Sequence, residues 1–356
     1  MVEYVMLHGA EERGRTMREI TITANDSGRR LDRFLRKYLP GASLGEVYKI
    51  IRKDVKVDGK RRNESYILNE GEVLSLYLSD EILGELGRSA VKPQAQRPRR
   101  SFGIVFEDDN ILIADKPYGL LTHGDSKEKR NHLANQVKDY LIAEGSYDPA
   151  SERVFTPAPV NRLDRNTTGL VLFGKTSASM RELNRVIRDD ELGKFYLTIA
   201  CGIIRDELRL SGGLIKDEAA NKVRIVSGGD GSEGSRDIET VVRPREHLRF
   251  GDGLEATLCE VELVTGRSHQ IRAHLASAGH PLMGDSKYAG RGSRAANRYA
   301  AERFGLTTQL LHAGRIEFGE ELSGSDHLAY LAGRSFEAPL PPRFKEIYKG
   351  LGGRNL

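Results

Sequence analysis

The chain has 356 residues, 38% of them apolar and 30% charged, which is long for one compact domain and points to one large body with a smaller companion. The composition is that of a globular protein with a real core; no apolar run reaches the length of a membrane span, and the N-terminus lacks the apolar region of a signal peptide. The net charge of +4 hides an asymmetry: residues 29–62 hold twelve Lys/Arg against four acids, a net of +8, which leaves −4 for the remainder and makes a polyanion the expected partner.

In chain order, residues 1–16 are polar and aperiodic and are expected to be a disordered extension, with Met17 as an alternative start. Arg18–Thr23 alternates Ile20 and Ile22 with polar residues, as a short strand does. Ser27 precedes a helical run of Leu31, Phe34, Leu35, Tyr38 and Leu39, closed by Pro40 and Gly41, with Asp32 placed on the solvated face. A second helix opens at Ser43, where Glu46 three residues on completes a capping box. Val55–Val57, the turn signal Asp58-Gly59 and a strand over Val73–Leu78 follow. Arg29, Arg30, Arg33, Lys49, Arg52 and Lys53 lie along the helices and the first turn, as candidate RNA contacts. This order of elements resembles the S4-type (alpha-L) RNA-binding domain, with expected bounds 17–81. Residues 82–101 carry four arginines and a lysine among few apolar residues, and are expected to be an extended basic linker making phosphate contacts without sequence preference.

From Phe102 the chain reads as a larger β-rich body over 102–350, followed by a tail at 351–356. Gly103–Phe106 and Ile111–Ala114 flank a polar turn as a hairpin does, and Asp115-Lys116-Pro117-Tyr118-Gly119 turns out of the second strand. Asp164 lies in Arg162-Leu163-Asp164-Arg165-Asn166-Thr167-Thr168-Gly169, directly ahead of the apolar run Leu170–Phe173. A carboxylate between two arginines is held ionised, which is the state a nucleophile needs. Arg30-Leu31-Asp32-Arg33 repeats the tetrapeptide, but only the second copy leads through Thr-Thr-Gly into a strand. Ser177 caps a helix, Lys194–Ile199 reads as a strand with Tyr196 near its start, and Leu254–Leu263 alternates up to Thr265-Gly266-Arg267-Ser268-His269-Gln270-Ile271-Arg272. A short helix then ends at Gly279 and Pro281. Cys201 and Cys259, far apart in apolar segments, read as small buried hydrophobes and not as a disulfide or metal pair; a cytoplasmic location follows.

Taken together, the Lys116 turn, the Asp164 loop, Lys194-Phe195-Tyr196, Gly266–Arg272, Gly279–Asp285, Leu311-His312-Ala313 and the Pro-rich stretch Ala338–Pro342 resemble the RluA family of pseudouridine synthases. The resemblance implies an α+β fold, a mixed and mostly antiparallel sheet with a central cleft, and isomerisation of uridine in RNA to pseudouridine without cofactor or metal. It implies Asp164 as the catalytic aspartate, Tyr196 stacked on the target base and helping to remove the proton from ring carbon five, and Arg267 ion-paired with Asp164. Arg162 would fill the space left by the flipped nucleotide, and Arg165, Lys116, His269, Gln270 and Arg272 would join it in binding RNA. Asn161 stands where many relatives have histidine. The added N-terminal domain favours large-subunit (23S) ribosomal RNA over transfer RNA, acted on by a monomer. Two other readings stay open: an RNA-binding ribosome assembly factor with a vestigial site, and a hydrolase of a glycosidic bond, which would need a second carboxylate.

Overall fold

A computed structural model describes residues 17–86, 100–149, 152, 154–217, 222–226 and 236–356. The expected N-terminal extension and residues 87–99 of the expected linker lie outside these. Two compact units emerge: residues 1–97 with 138–157 and 176–178, and residues 98–137 with 158–175 and 179–356.

In the first unit, β1 (Met17–Thr21), β2 (Val55–Val57) and β3 (Val73–Tyr77) form an antiparallel sheet in the order β1-β3-β2. Helices α1 (Leu31–Tyr38), α2 (Leu44–Asp54) and α3 (Asp80–Leu86) complete it. The apolar stripes of α1 and α2 meet the strands in one core built on Leu31, Phe34, Val47, Ile51, Val57 and Leu74. Ser43 and Glu46 form the capping box: the Ser43 backbone N–H donates to Glu46 Oε2 at 2.8 Å and the Glu46 N–H to Ser43 Oγ at 3.4 Å. Asp58 and Gly59 both take positive φ, 48° and 72°, as a tight turn out of β2 requires. Residues 138–157 and 176–178 join this unit because Asn25 donates to Glu152 Oε2 and accepts from the Ser177 N–H, and because Val154 enters the core. Two expectations fail here. Asp32 is buried rather than solvated, since its carboxylate accepts Arg30 Nε and Nη2 and the Arg33 N–H. Residues 82–86 are helical rather than extended, because Leu83 buries its side chain in the core.

The second unit is one mixed sheet of eleven strands with helices. Its strands are β4 (Gly103–Glu107), β5 (Ile111–Lys116), β6 (Ala158–Pro159), β7 (Thr168–Gly174), β8 (Leu192–Cys201) and β9 (Leu208–Asp217). They continue with β10 (Lys222–Val226), β11 (Arg236–Phe250), β12 (Leu254–Leu263), β13 (Leu311–Phe318) and β14 (Ser335–Glu337). Their order is β10-β9-β11-β12-β8-β13-β7-β5-β4, with β14 on β13 and β6 on β7. Among the described pairings, β7 with β13 is parallel and the rest are antiparallel. Helices α4 (Leu133–Ala143) and α5 (Ser177–Arg188) lie where the chain passes between the units; α6 (Gln270–Ser277), α7 (Arg294–Phe304) and α8 (Pro342–Gly350) lie wholly in the second. One core cluster joins Ile111, Leu172 and Leu192 to Leu183 of α5, and another joins Ile199 and Leu258 to Ala300 of α7 and Ile347 of α8. Cys201 and Cys259 are buried as free thiols, and burial pushes both up to about 12.

The centre of this sheet depends on a glycine. Gly169 has φ +106°, and a Cβ built on it would lie 2.1 Å from the Ala313 carbonyl oxygen, so β13 can run beside β7 only where no side chain stands between them. The close approach is also what lets Thr168 Oγ1 meet His312 Nδ1 at 2.9 Å. Gly169→Ala combines positive-φ strain of about 1–2 kcal/mol with an overlap costing about 1–3 kcal/mol; thermal melts are expected to show a fall in Tm of about 4–20 °C. Gly253→Ala is the control, since Gly253 has φ +85° with nothing within 4 Å, and its loss should be less than half as large. Equal losses in the two variants would show that the Ala313 contact is not what matters.

Candidate active site

Asp164 sits in the loop between β6 and β7, and the loop is fastened from below. Leu163 N–H donates to Thr122 Oγ1 at 3.1 Å, and that hydroxyl donates back to the Leu163 carbonyl at 3.0 Å. Lys116, at the end of β5, is fully buried and donates to the carbonyls of Leu120, Arg165 and Pro117 at 2.7, 3.0 and 3.1 Å. All three N–H groups of its ammonium are thus used on two loops. Burial, the dominant cause, pulls its pKa down to about 7, with Asp164 opposing. Lys116 therefore has no donor left for RNA. The expectation of an RNA contact is corrected: it is a buried clip that positions the Asp164 loop.

The Asp164 side chain is 25% exposed and accepts Arg272 Nη1 at 2.9 Å. The same guanidinium places Nε and Nη2 on Asp285 Oδ2 and Oδ1, at 2.6 and 2.9 Å. Asp285 is almost fully buried and also accepts the backbone N–H groups of Lys287 and Tyr288. A forked Arg–carboxylate pair fixes the plane of the guanidinium, so its remaining edge is aimed at Asp164. Burial works against the Arg272 charge, but the hydrogen bonds and charges of Asp285 and Asp164 outweigh it and raise its pKa. The Tyr288 ring stands 5.1 Å from Arg272 Cζ and adds a cation–π face.

Arg267, expected to ion-pair with Asp164, does not. Its side chain is exposed and makes no ion pair among the described residues, while its backbone N–H donates to Gln270 Oε1 at 3.0 Å. The turn from Thr265 closes on Gln270 and leaves Arg267 exposed, whereas Arg272 lies in the stretch of α6, residues 270–275, that is buried throughout. That burial was the missed signal: an arginine flanked by core residues must have a partner. Gln270 is corrected too. Its amide is consumed by Thr265, Arg267 N–H, the Glu239 carbonyl and Thr240, and none of it faces a ligand.

Tyr196 enters on β8 between Val261 of β12 and Ala313 of β13. It is 7% exposed, and its pKa is raised by burial and then by the Asp164 charge, so a neutral phenol faces the carboxylate. His269 takes the left-handed conformation at φ 56°. Its Nδ1 meets Tyr288 Oη at 2.9 Å, and its Nε2 stands 3.8 Å from Asp164 Oδ2; burial lowers its pKa, which leaves it neutral. Arg162 and Arg165 are exposed on the Asp164 loop, the latter 3.5 Å from Asp125. Asn161 is structural, pairing its amide with Leu170 O and Leu172 N–H of β7. In the first unit Arg33, Lys49, Arg52 and Lys53 are exposed, while Arg30 is tied to Asp32 and Arg29 Nη2 reaches Ser177 Oγ at 3.4 Å. Among the described residues no group of three or more His, Cys, Asp or Glu is arranged to hold a metal ion.

Because Asp285 is buried with Arg272 as its charge partner, Arg272→Met leaves an uncompensated carboxylate and should cost about 3–5 kcal/mol, read as a lowered denaturation midpoint. Arg272→Met with Asp285→Leu removes both charges and should recover most of that loss. A double variant no more stable than the single one would contradict the pairing.

The family model for RNA pseudouridylate synthases matches residues 110–277, and that for the S4 domain matches residues 29–74. Ribosomal large subunit pseudouridine synthase C of Escherichia coli is 32% identical over 303 residues, covering 84% of this chain and 88% of that protein. The protein of the same description from Haemophilus influenzae is 30% identical over 314 residues, covering 87% and 89%. In structure, the human RNA pseudouridylate synthase domain containing 4 superposes with a TM-score of 0.53 at 20% identity, over 70% of this chain and 93% of that one, and speaks for the fold alone. With the Asp164–Arg272 pair in place and these relatives aligned over most of its length, the chain belongs to the RluA family of pseudouridine synthases and carries an N-terminal S4 domain.

Proposed function

We propose that the chain converts uridine to pseudouridine in the RNA of the large ribosomal subunit, with Asp164 as nucleophile, Arg272 as its partner and Tyr196 as the face against the target base. The observation that carries this is the guanidinium held by Asp285 with one edge given to Asp164. The reaction breaks the bond from the sugar to ring nitrogen one, forms a bond to ring carbon five, and moves one proton from that carbon to the nitrogen, so atoms and electrons balance within the substrate. A stacked base must first leave its helix, at a cost of a few kcal/mol, and exposed Arg162 on the Asp164 loop is suited to fill the gap. The Arg272 charge favours the anionic carboxylate that attack requires. Tyr196, kept neutral, supplies an aromatic surface and a hydroxyl rather than a resident base. Against the hydrolase reading, Asp285 does not serve as the second carboxylate, since both of its oxygens are committed to Arg272.

The proposed division of the chain keeps the RNA-binding domain from residue 17, carries it past 81 to the end of α3 at Leu86, and leaves 87–101 as the linker, 102–350 as the catalytic body and 351–356 as the tail. Arg33, Lys49, Arg52, Lys53 and Arg165 supply phosphate contacts. We read the protein as a cytoplasmic monomer; no described helix is long and apolar enough to cross a membrane.

Carbodiimide-adduct primer extension on ribosomal RNA tests the assignment. Wild type should create new stops and Asp164→Asn none. Intact RNA without stops from wild type would point to a binder, abasic sites to a hydrolase, and stops confined to transfer RNA to the other substrate. Neutralising Arg33, Lys49 and Arg52 together by alanine should raise KM and shrink the slope of log affinity against log salt by about two to three. An unchanged slope would remove the first unit from the RNA contact.

A further inference from the structure

Tyr118 is an exposed aromatic on a surface that leaves few large apolar side chains open, with 47% of its area accessible. Of the comparably exposed residues, Leu44, Ile67 and Ile82 belong to the first unit, Tyr330 is engaged by Asp108, and Leu356 ends the chain. Tyr118 differs from them by its mounting. The Pro117 carbonyl before it is held by Lys116 Nζ at 3.1 Å, and the Gly119 N–H after it donates to the Arg165 carbonyl at 3.1 Å. The residue is therefore fastened on both sides to the scaffold that carries Asp164. Its hydroxyl meets Thr308 Oγ1 at 3.0 Å, and the exposed Arg343 places Cζ 5.6 Å from the ring centroid. A ring fixed at its tip and backed by a cation, yet open to solvent, loses little entropy when a flat ligand covers it. Every nucleobase offers such a face, and an aromatic ring beside an arginine is a recurrent support for unpaired bases.

We propose that Tyr118 and Arg343 form a stacking platform for an unpaired RNA base neighbouring the uridine that enters the Asp164 site. This rests on the reading of the chain as an RNA pseudouridine synthase. The competing account is structural: the hydroxyl of Tyr118 staples two loops, and the ring face does nothing. The two separate on Tyr118→Phe, which keeps the face and loses the Thr308 bond, and Tyr118→Leu, which loses both. Steady-state kinetics and filter binding are measured with transcribed large-subunit ribosomal RNA. Tyr118→Leu should raise KM and Kd about tenfold, with the loss falling on binding rather than on kcat. Its salt slope should match wild type, because no charge has been removed. Tyr118→Phe should restore most of the affinity.

The platform is overturned if the leucine variant binds like wild type, if phenylalanine is as weak as leucine, or if the loss falls on kcat alone. Should wild type form no pseudouridine in any RNA, the proposed function fails, and the comparison of Kd values between wild type and Tyr118→Leu still decides the platform.

Discussion

The site depends on one guanidinium shared unequally between two carboxylates. Arg272 gives two of its donors to Asp285, deep in the protein, and one to the partly exposed Asp164. The inner pair is rigid because both partners are buried and Asp285 is further held by two backbone N–H groups. The outer pair is thus prepared before any substrate arrives. A free arginine reaching for Asp164 would have to give up water and side-chain freedom at the moment of reaction; a clamped one has already done so during folding.

The rest of the second unit can be understood as the means of bringing the Asp164 loop to that guanidinium. Lys116 and Thr122 set the height of the loop by bonding its carbonyls. Gly169 sets the lateral position of the strand that follows, since only a residue without Cβ admits β13 so close. Once β13 is beside β7, β8 falls on its other side and delivers Tyr196, and β12 leads through its turn into α6 and Arg272. Three elements remote in sequence converge because adjacent places in one sheet leave little freedom for their ends.

The cost of this arrangement is buried charge. Lys116, Arg272 and Asp285 are ionisable groups in places where an isolated charge would be expelled or neutralised. Each is satisfied differently: Lys116 by carbonyl dipoles, Arg272 and Asp285 by one another. The difference shows in their titration, for burial outweighs the charge of Asp164 and draws Lys116 down to about 7, while the hydrogen-bonded carboxylates outweigh burial and raise Arg272.

Much of the fold was legible in the residues. The capping box at Ser43, the Asp58-Gly59 turn, the hairpin around residues 107–110 and the strand Leu254–Leu263 follow local rules of dihedral angle and alternation, and they stand where those rules put them. The places of Asp164, just ahead of β7, and of Tyr196, on β8, were legible too, because each lies beside a strong strand signal. What sequence order could not settle was which arginine meets Asp164, whether Asp32 faces water, and whether Lys116 and Gln270 face a ligand or the core. Those are questions of direction, and direction is fixed by contacts between residues up to 108 positions apart. Arg267 and Arg272 are nearly equivalent as letters in a motif; a turn closing on Gln270 and a carboxylate at position 285 make one a solvent-exposed side chain and the other the partner of Asp164.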